Sequence, residues 1–280
     1  MDKFAVIEVG STNTKRYLYD NGNIKEYPQV TITLKWNYKK HGHLLESDIK
    51  ALCSLVNDMK KETQNVFIYG TSIFRELKGK ELTDFLKTLK DTTGCNLNIV
   101  TPEQESEYTV KGVLLGNDYK GKLAIMIGGG GSTEVCIVEN KKIIEKKYSN
   151  YGVTEVCRAF EQINNHKPNF TLKEVDKWCL EQTTDIENKA DILVLAGGDY
   201  KYFYECAGKE FLDKNKFYKD GLQPYSMTME NINKVDKRFV LEQDIQDYIK
   251  NDRVYNDQWW LGTRGMRFCV RAVANKCGAK

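Results

Sequence analysis

Residues 125–134 read IMIGGGGSTE. An apolar run enters four consecutive glycines and leaves them through Ser132, Thr133 and Glu134. Each glycine costs backbone entropy on folding and brings no side chain to pack, so four in a row call for a reason beyond ordinary packing. The run has no Gly-Lys-Ser/Thr ending, which excludes a Walker A loop, and no GxGxxG register fits it. A turn between two strands does fit. Its N–H groups can cup an anion, the hydroxyls of Ser132 and Thr133 add donors, and Glu134 can hold a hard divalent cation that bridges to a phosphate. A glycine bulge without a ligand is the plain alternative.

The same pattern stands at the start of the chain. FAVIEVGSTNTKRYLYDNGNIKEY (4–27) and LAIMIGGGGSTEVCIVENKKIIEKKY (123–148) both read as strand, glycine turn, Ser-Thr, strand, small loop, strand. Ala5 pairs with Ala124, and matching Ser11-Thr12 to Ser132-Thr133 makes the second turn two residues longer. Self-similarity over a domain-sized period predicts two lobes of one fold. We place them at 1–117 and 118–280.

Outward from the turns, VTITLKW (30–36) alternates as a half-buried strand. Leu45, Ile49, Leu52, Val56 and Met59 step as a helix face, and NVFIYG (65–70) is a buried strand. Leu82, Phe85, Leu86 and Leu89 mark another helix, and NLNIV (96–100) another strand. The second copy predicts mostly helix over 152–182, broken near Pro168, then the strand DILVLA (191–196) and a last helix over about 262–276. Strands alternating with helices predict an α/β fold of mixed sheets covered by helices, with ligands gathering at strand ends.

Composition sets bounds. The chain has 280 residues, 41% hydrophobic, with a net charge of +3. That is ample for two cores and too small an excess to call for nucleic acid as a partner. Its eight cysteines are scattered without CxxC spacing, which reads as reduced thiols. No apolar run has membrane-spanning length, and a cytoplasmic, membrane-free protein is expected.

GSTNTK (10–15), YGTSIFRELKG (69–79), TPEQESEY (101–108), GGGSTE (129–134) and LAGG (195–198), in this order, resemble the exopolyphosphatase and guanosine pentaphosphate phosphohydrolase family. That family lies within the actin, sugar kinase and Hsp70 superfamily. The resemblance implies duplicated ribonuclease-H-like (actin-like ATPase) lobes with an interlobe cleft, in a short two-lobed form. It implies a Mg2+-dependent hydrolase that releases the terminal phosphate of polyphosphate or guanosine pentaphosphate. Glu105 matches the residue that activates the attacking water. Gly10, Ser11, Thr12, Asn13, Lys15, Arg75, Gly129, Gly130, Gly131, Ser132 and Thr133 match the phosphate-binding positions. Glu8 and Glu134 are left to hold the cation, because Ile127 falls where a second aspartate is expected. Gly197 and Gly198 match a nucleotide-side or far cleft wall, and a homodimer is expected.

The residues also have readings of their own. Thr101, Pro102 and Gln104 form a helix start, with a capping threonine, proline at the first position and glutamine at the third. Acidic neighbours there suit the helix dipole. Arg75 reads equally as a solvated helix residue, and Arg264 in LGTRGMRF (261–268) as part of a terminal helix rather than a phosphate ligand. A non-catalytic binder or sensor of polyphosphate or alarmone, and a small-molecule kinase of the superfamily, are the rival functions.

Overall fold

The computed structural model describes residues 3–10, 13–115, 119–164, 169–196, 211–214, 225–242, 246–247, 250 and 257–279. The chain forms two compact units, Met1–Glu105 and Ser106–Lys280.

The first unit is a five-stranded sheet. Strands β1 (Lys3–Val9), β2 (Asn13–Asp20) and β3 (Asn23–Thr31) form an antiparallel meander, β4 (Val66–Gly70) and β5 (Leu97–Ile99) run parallel to β1, and the order is β3-β2-β1-β4-β5. Ala5, Ile7 and Val9 bury one face of β1. Period-two alternation sends Glu8 to the other face. Helices α2 (Glu46–Glu62) and α4 (Gly79–Thr93) supply Leu52, Val56, Met59, Phe85 and Leu89 to this core, on the faces their apolar spacing predicts.

Residues 30–36 depart from expectation. Strand β3 stops at Thr31, and helix α1 (Leu34–His41) begins at Leu34. The alternation of Val30, Ile32, Leu34 and Trp36 is overridden by packing at helical spacing, since buried Leu34 and partly buried Tyr38, four apart, meet the same core. Gly42, at φ 75°, then closes the helix and donates to the Tyr38 carbonyl, the usual left-handed terminator.

The second unit opens with helix α5 (Pro102–Leu114), which begins in the first unit and continues into it. Its sheet has the order β8-β7-β6-β9, with β6 (Leu123–Gly128), β7 (Thr133–Glu139) and β8 (Lys142–Ser149) antiparallel and β9 (Ile192–Ala196) parallel to β6. Ala124, Met126, Val135 and Ile137 pack on one side with α6 (Val153–Ala159), α7 (Leu172–Gln182) and the last described helix, Asp257–Cys277. Leu123, Ile125, Cys136 and Val138 pack on the other side with Val110 and Val113 of α5. Both faces of β6 and β7 are covered, which explains why the alternation there is masked by a continuous apolar run.

The predicted helical stretch 152–182 is α6, a 3-10 turn at Glu161–Asn164 and α7. Residues 165–168, with Pro168, lie outside the described residues. Arg264 sits wholly buried in the last helix, donating to the carbonyls of Ile163 (3.1 Å) and Phe239 (3.0 Å). The helix reading holds, and this arginine is a structural tie. On the same helix, Arg267 and Arg271 share the buried carboxylate of Asp236, and Arg271 also grips Asp176 through two 2.7 Å bonds. No disulfide links the described cysteines, and no helix among the described residues is long and apolar enough to cross a membrane.

The edge strand β8 is closed by the segment that follows α7. Glu145 accepts from the amides of Glu187 (2.9 Å) and Asn188 (2.8 Å) and from the Asn188 side chain (3.0 Å). Burial alone would raise this carboxyl, but those donors and Lys147 outweigh it and hold it at about 2 against an ordinary 4.5. A carboxylate depressed in the folded state contributes stability above its unfolded pKa and loses it on acidification. The unfolding free energy is therefore expected to fall as pH drops from about 4.5 to about 2. Glu145→Gln is expected to flatten that slope in urea titrations at stepped pH.

Candidate functional site

The two glycine turns are built to one plan, and the plan corrects the sequence alignment. Val9 pairs with Thr14 at the base of the first turn, and Gly128 with Thr133 at the base of the second. Gly10 N–H donates to the Asn13 carbonyl (3.0 Å), and Gly129 N–H to the Ser132 carbonyl (2.9 Å). The turns are thus equally long, the second not being two residues longer. The offset that relates Ala5 to Ala124 runs unbroken through the hairpin, because Gly128 belongs to strand β6 and not to the turn. Thr14 corresponds to Thr133, Glu8 to Ile127, and Lys15 to Glu134.

That correspondence separates the two hairpins chemically. In the first, Glu8 and Lys15 are cross-strand partners, and the ammonium lies 3.3 and 3.2 Å from the two carboxylate oxygens. In the second, the same pair of positions holds Ile127 and Glu134, so an apolar side chain faces the carboxylate across the ladder. Glu134 is only 6% exposed. Its Oε2 accepts from the Ser106 hydroxyl of α5 at 2.9 Å.

The second turn is anchored by its carbonyls. Gly129 C=O accepts from Val153 N–H (3.1 Å) and Gly130 C=O from Thr154 N–H (2.8 Å), both at the start of α6. In a planar trans peptide the N–H points opposite to its C=O. The amides of Gly130 and Gly131 therefore point away from α6, and both residues are exposed. Neither a left-handed φ nor a severe clash explains these glycines: a Cβ on Gly129, Gly130 or Gly131 would approach no closer than 3.2 Å to its neighbours. A bare pair of outward amides is an arrangement that can cup an anion.

The hydroxyls divide differently from expectation. Thr133 is buried and donates to the Tyr151 carbonyl at 3.0 Å, so its side chain ties the turn to the core rather than offering itself to a phosphate. Ser132 is half-buried. Asn13 accepts from Thr31 through its side-chain oxygen (3.1 Å). Ser11, Thr12, Gly197 and Gly198 lie outside the described residues.

In the first unit, α5 starts as its sequence predicts. Gln104 N–H donates to Thr101 Oγ1 (3.2 Å) and Thr101 N–H to Gln104 Oε1 (3.0 Å), a reciprocal cap that occupies neither oxygen of Glu105. Arg75, in the short helix α3 (Ser72–Glu76), donates through Nη1 to the Val100 carbonyl (2.8 Å) and to Glu105 Oε2 (2.9 Å). Sequence reading assigned Arg75 and Glu105 separate roles, and the fold pairs them.

Two residues of the site escaped the sequence. Gly152 lies so close under the turn that a Cβ would sit 2.2 Å from the Gly129 carbonyl oxygen. Ser106 is wholly buried against Glu134. An isolated Tyr-Gly-Val and a serine inside an acidic helix start give no local signal of either contact.

For magnesium, the test lies in the donor chemistry. Mg2+ takes hard oxygen ligands and is commonly held by one or two carboxylates together with substrate phosphates. Glu134, buried beside the amide turn and met by a neutral hydroxyl, suits such an ion. Glu8 suits it where the ion displaces Lys15, whose half-exposed pairing is worth about 0–1 kcal/mol. The described residues contain no group of three or more His, Cys, Asp or Glu that could cage a metal by themselves.

A fold of this kind, with two mixed sheets, each covered by helices and each carrying a glycine turn between antiparallel strands, defines an α/β protein. The family model of the Ppx/GppA phosphatase family matches residues 28–252, and the chain belongs to that family. Over 99% of its length it superposes on 93% of the Aquifex aeolicus Ppx/GppA enzyme, with a TM-score of 0.75 at 20% identity. Over 98% it superposes on 89% of an exopolyphosphatase from Cytophaga hutchinsonii, at 0.65 and 13%. These likenesses show a shared two-lobed fold. Among curated proteins it is 27% identical over 207 residues to a bifunctional 3-dehydroquinate synthase/phosphatase of Fusobacterium nucleatum, covering 66% of this chain and 30% of that protein. The chain thus spans under a third of that relative's length.

Two outcomes are expected. Gly152→Ala should displace the turn from α6 and lower stability by about 1–3 kcal/mol, with weaker orthophosphate binding, read by thermal unfolding and calorimetry. Glu105→Gln removes the carboxylate that competes for Arg75, so orthophosphate should bind up to about fivefold more tightly; unchanged affinity would show that phosphate does not land on Arg75.

Proposed function

We propose that the protein is a phosphoanhydride hydrolase that releases the terminal phosphate of inorganic polyphosphate or of guanosine pentaphosphate. The observation that carries this reading is the exposed glycine turn, whose carbonyls are tied to α6 so that two amides point outward. Family membership supports the phosphatase class. Glu105 is the general base: its carboxylate takes a proton from water as the new P–O bond forms and the bridging P–O bond breaks. Arg75 and Lys15 in the first unit, and the amides of Gly130 and Gly131 in the second, are each groups that can pair with phosphate oxygens, the kind of electrostatic support that phosphoryl transfer depends on.

A magnesium ion would neutralise phosphate charge, and Glu8 in the first unit and Glu134 in the second are each carboxylates suited to hold one. The Arg75–Glu105 pair gives the residues a sequence of action. A phosphate that takes Arg75 loosens the carboxylate from that cation. Arginine is suited to this exchange because its planar fork matches phosphate as well as carboxylate.

A binder without turnover is the second reading, favoured by Ile127 opposite Glu134. One experiment separates the two: phosphate release from long-chain polyphosphate and from guanosine pentaphosphate, with and without Mg2+, by the unaltered protein and by Glu105→Gln. Loss of a general base costs about 10²- to 10⁴-fold in rate. A drop of that size with an intact fold is expected for Glu105→Gln. Release by the variant at the unaltered rate would remove Glu105 from the mechanism, and tight binding with no release by either protein would favour the binder.

A further inference from the structure

Glu134 is a buried carboxylate in an unusual setting for its hairpin. Its structural counterpart in the first unit, Lys15, meets an opposite charge across the ladder. Glu134 meets Ile127 there, and Tyr148 on the β8 side. Cys136, one pleat along β7, and Lys146 across from it stand on the same face. A carboxylate at 6% exposure has little water to bond and takes its hydrogen bonds from the protein. Ser106 supplies one from above.

The serine is aimed by packing. Ser106, Val110 and Val113 are the buried residues of α5. They recur at helical spacing, and the two valines are seated among Leu123, Ile125, Cys136 and Val138. That seat fixes the rotation of α5 over the sheet, and with it the direction of the Ser106 hydroxyl. The same hydroxyl also reaches the Cys136 sulfur, whose thiol burial pushes up and this contact draws partly back.

We infer that Ser106 is a positioning residue for Glu134, its 2.9 Å hydrogen bond to Oε2 setting the plane of the carboxylate toward a hard divalent cation. The inference rests on the proposed cation role of Glu134. A hydroxyl suits this task because it donates a hydrogen bond to the carboxylate without carrying a charge of its own. Outer partners of this kind typically change metal affinity by about 10- to 100-fold.

The test is a titration of the full chain with Mn2+, followed by electron paramagnetic resonance of the unbound ion. The unaltered protein, Glu134→Gln, Ser106→Ala and Ser106→Thr are compared at one pH, with thermal unfolding checking each fold. Ser106→Ala should weaken Mn2+ binding by about tenfold or more. Ser106→Thr keeps the hydroxyl and should retain the affinity. Ser106→Cys, of similar size and with a weaker donor, takes the place of the alanine variant should that variant not fold. Mn2+ affinity lost in Glu134→Gln but unchanged in Ser106→Ala overturns the role of Ser106 alone. Binding that is absent from the unaltered protein, or unaffected by Glu134→Gln, overturns the cation reading and this inference together.

Discussion

The site in the second unit depends on the two hydrogen bonds that join the carbonyls of Gly129 and Gly130 to the first amides of α6. Peptide planarity turns those two bonds into a direction for the neighbouring N–H groups. The approach needed for them is possible only because position 152 lacks a side chain. The glycine run is therefore held from below by a fifth glycine distant in sequence. Its own bareness is left for whatever lies above.

Strand alternation does the rest of the sorting. Thr133 and Glu134 are adjacent in β7, and the pleat sends them to opposite faces. Thr133 goes to the Tyr151 side and closes the core. Glu134 goes to the α5 side and meets Ser106. A single-residue change of register would exchange the two, placing a carboxylate among the apolar residues around Tyr151.

The duplication supplies a built-in comparison. Equal turns and a constant offset show that the hairpins share a backbone plan, while the cross-strand pair beside each turn has diverged. One copy has become self-neutralising, with Glu8 and Lys15 satisfying each other near solvent. The other has been left with a buried charge beside an isoleucine, supported by a hydroxyl from a helix. In a buried setting each hydrogen bond to a charge counts for more than it does at the surface, so the second copy is the more demanding of the two.

Much of this was legible in the sequence, where a feature depended on near neighbours. The cap at Thr101 and Gln104, the helix faces of α2 and α4, the strands flanking both glycine runs and the duplication itself all follow from propensity and periodicity. Residues 32–36 misled because alternation over a few residues is weak evidence against burial of Leu34 and Tyr38 by a shared core. The alignment of the two turns misled because matching Ser-Thr letters outweighed the strand register, which only hydrogen bonding settles. By itself the sequence determined the class of fold, the glycine turns and the residue types that could handle phosphate, since these are written in local pattern. Only the tertiary structure decided that Arg75 holds Glu105, that Thr133 is spent on the core, that Gly152 seats the turn and that Ser106 holds Glu134. Each of those joins residues from separate elements, and it is packing that sets their distances.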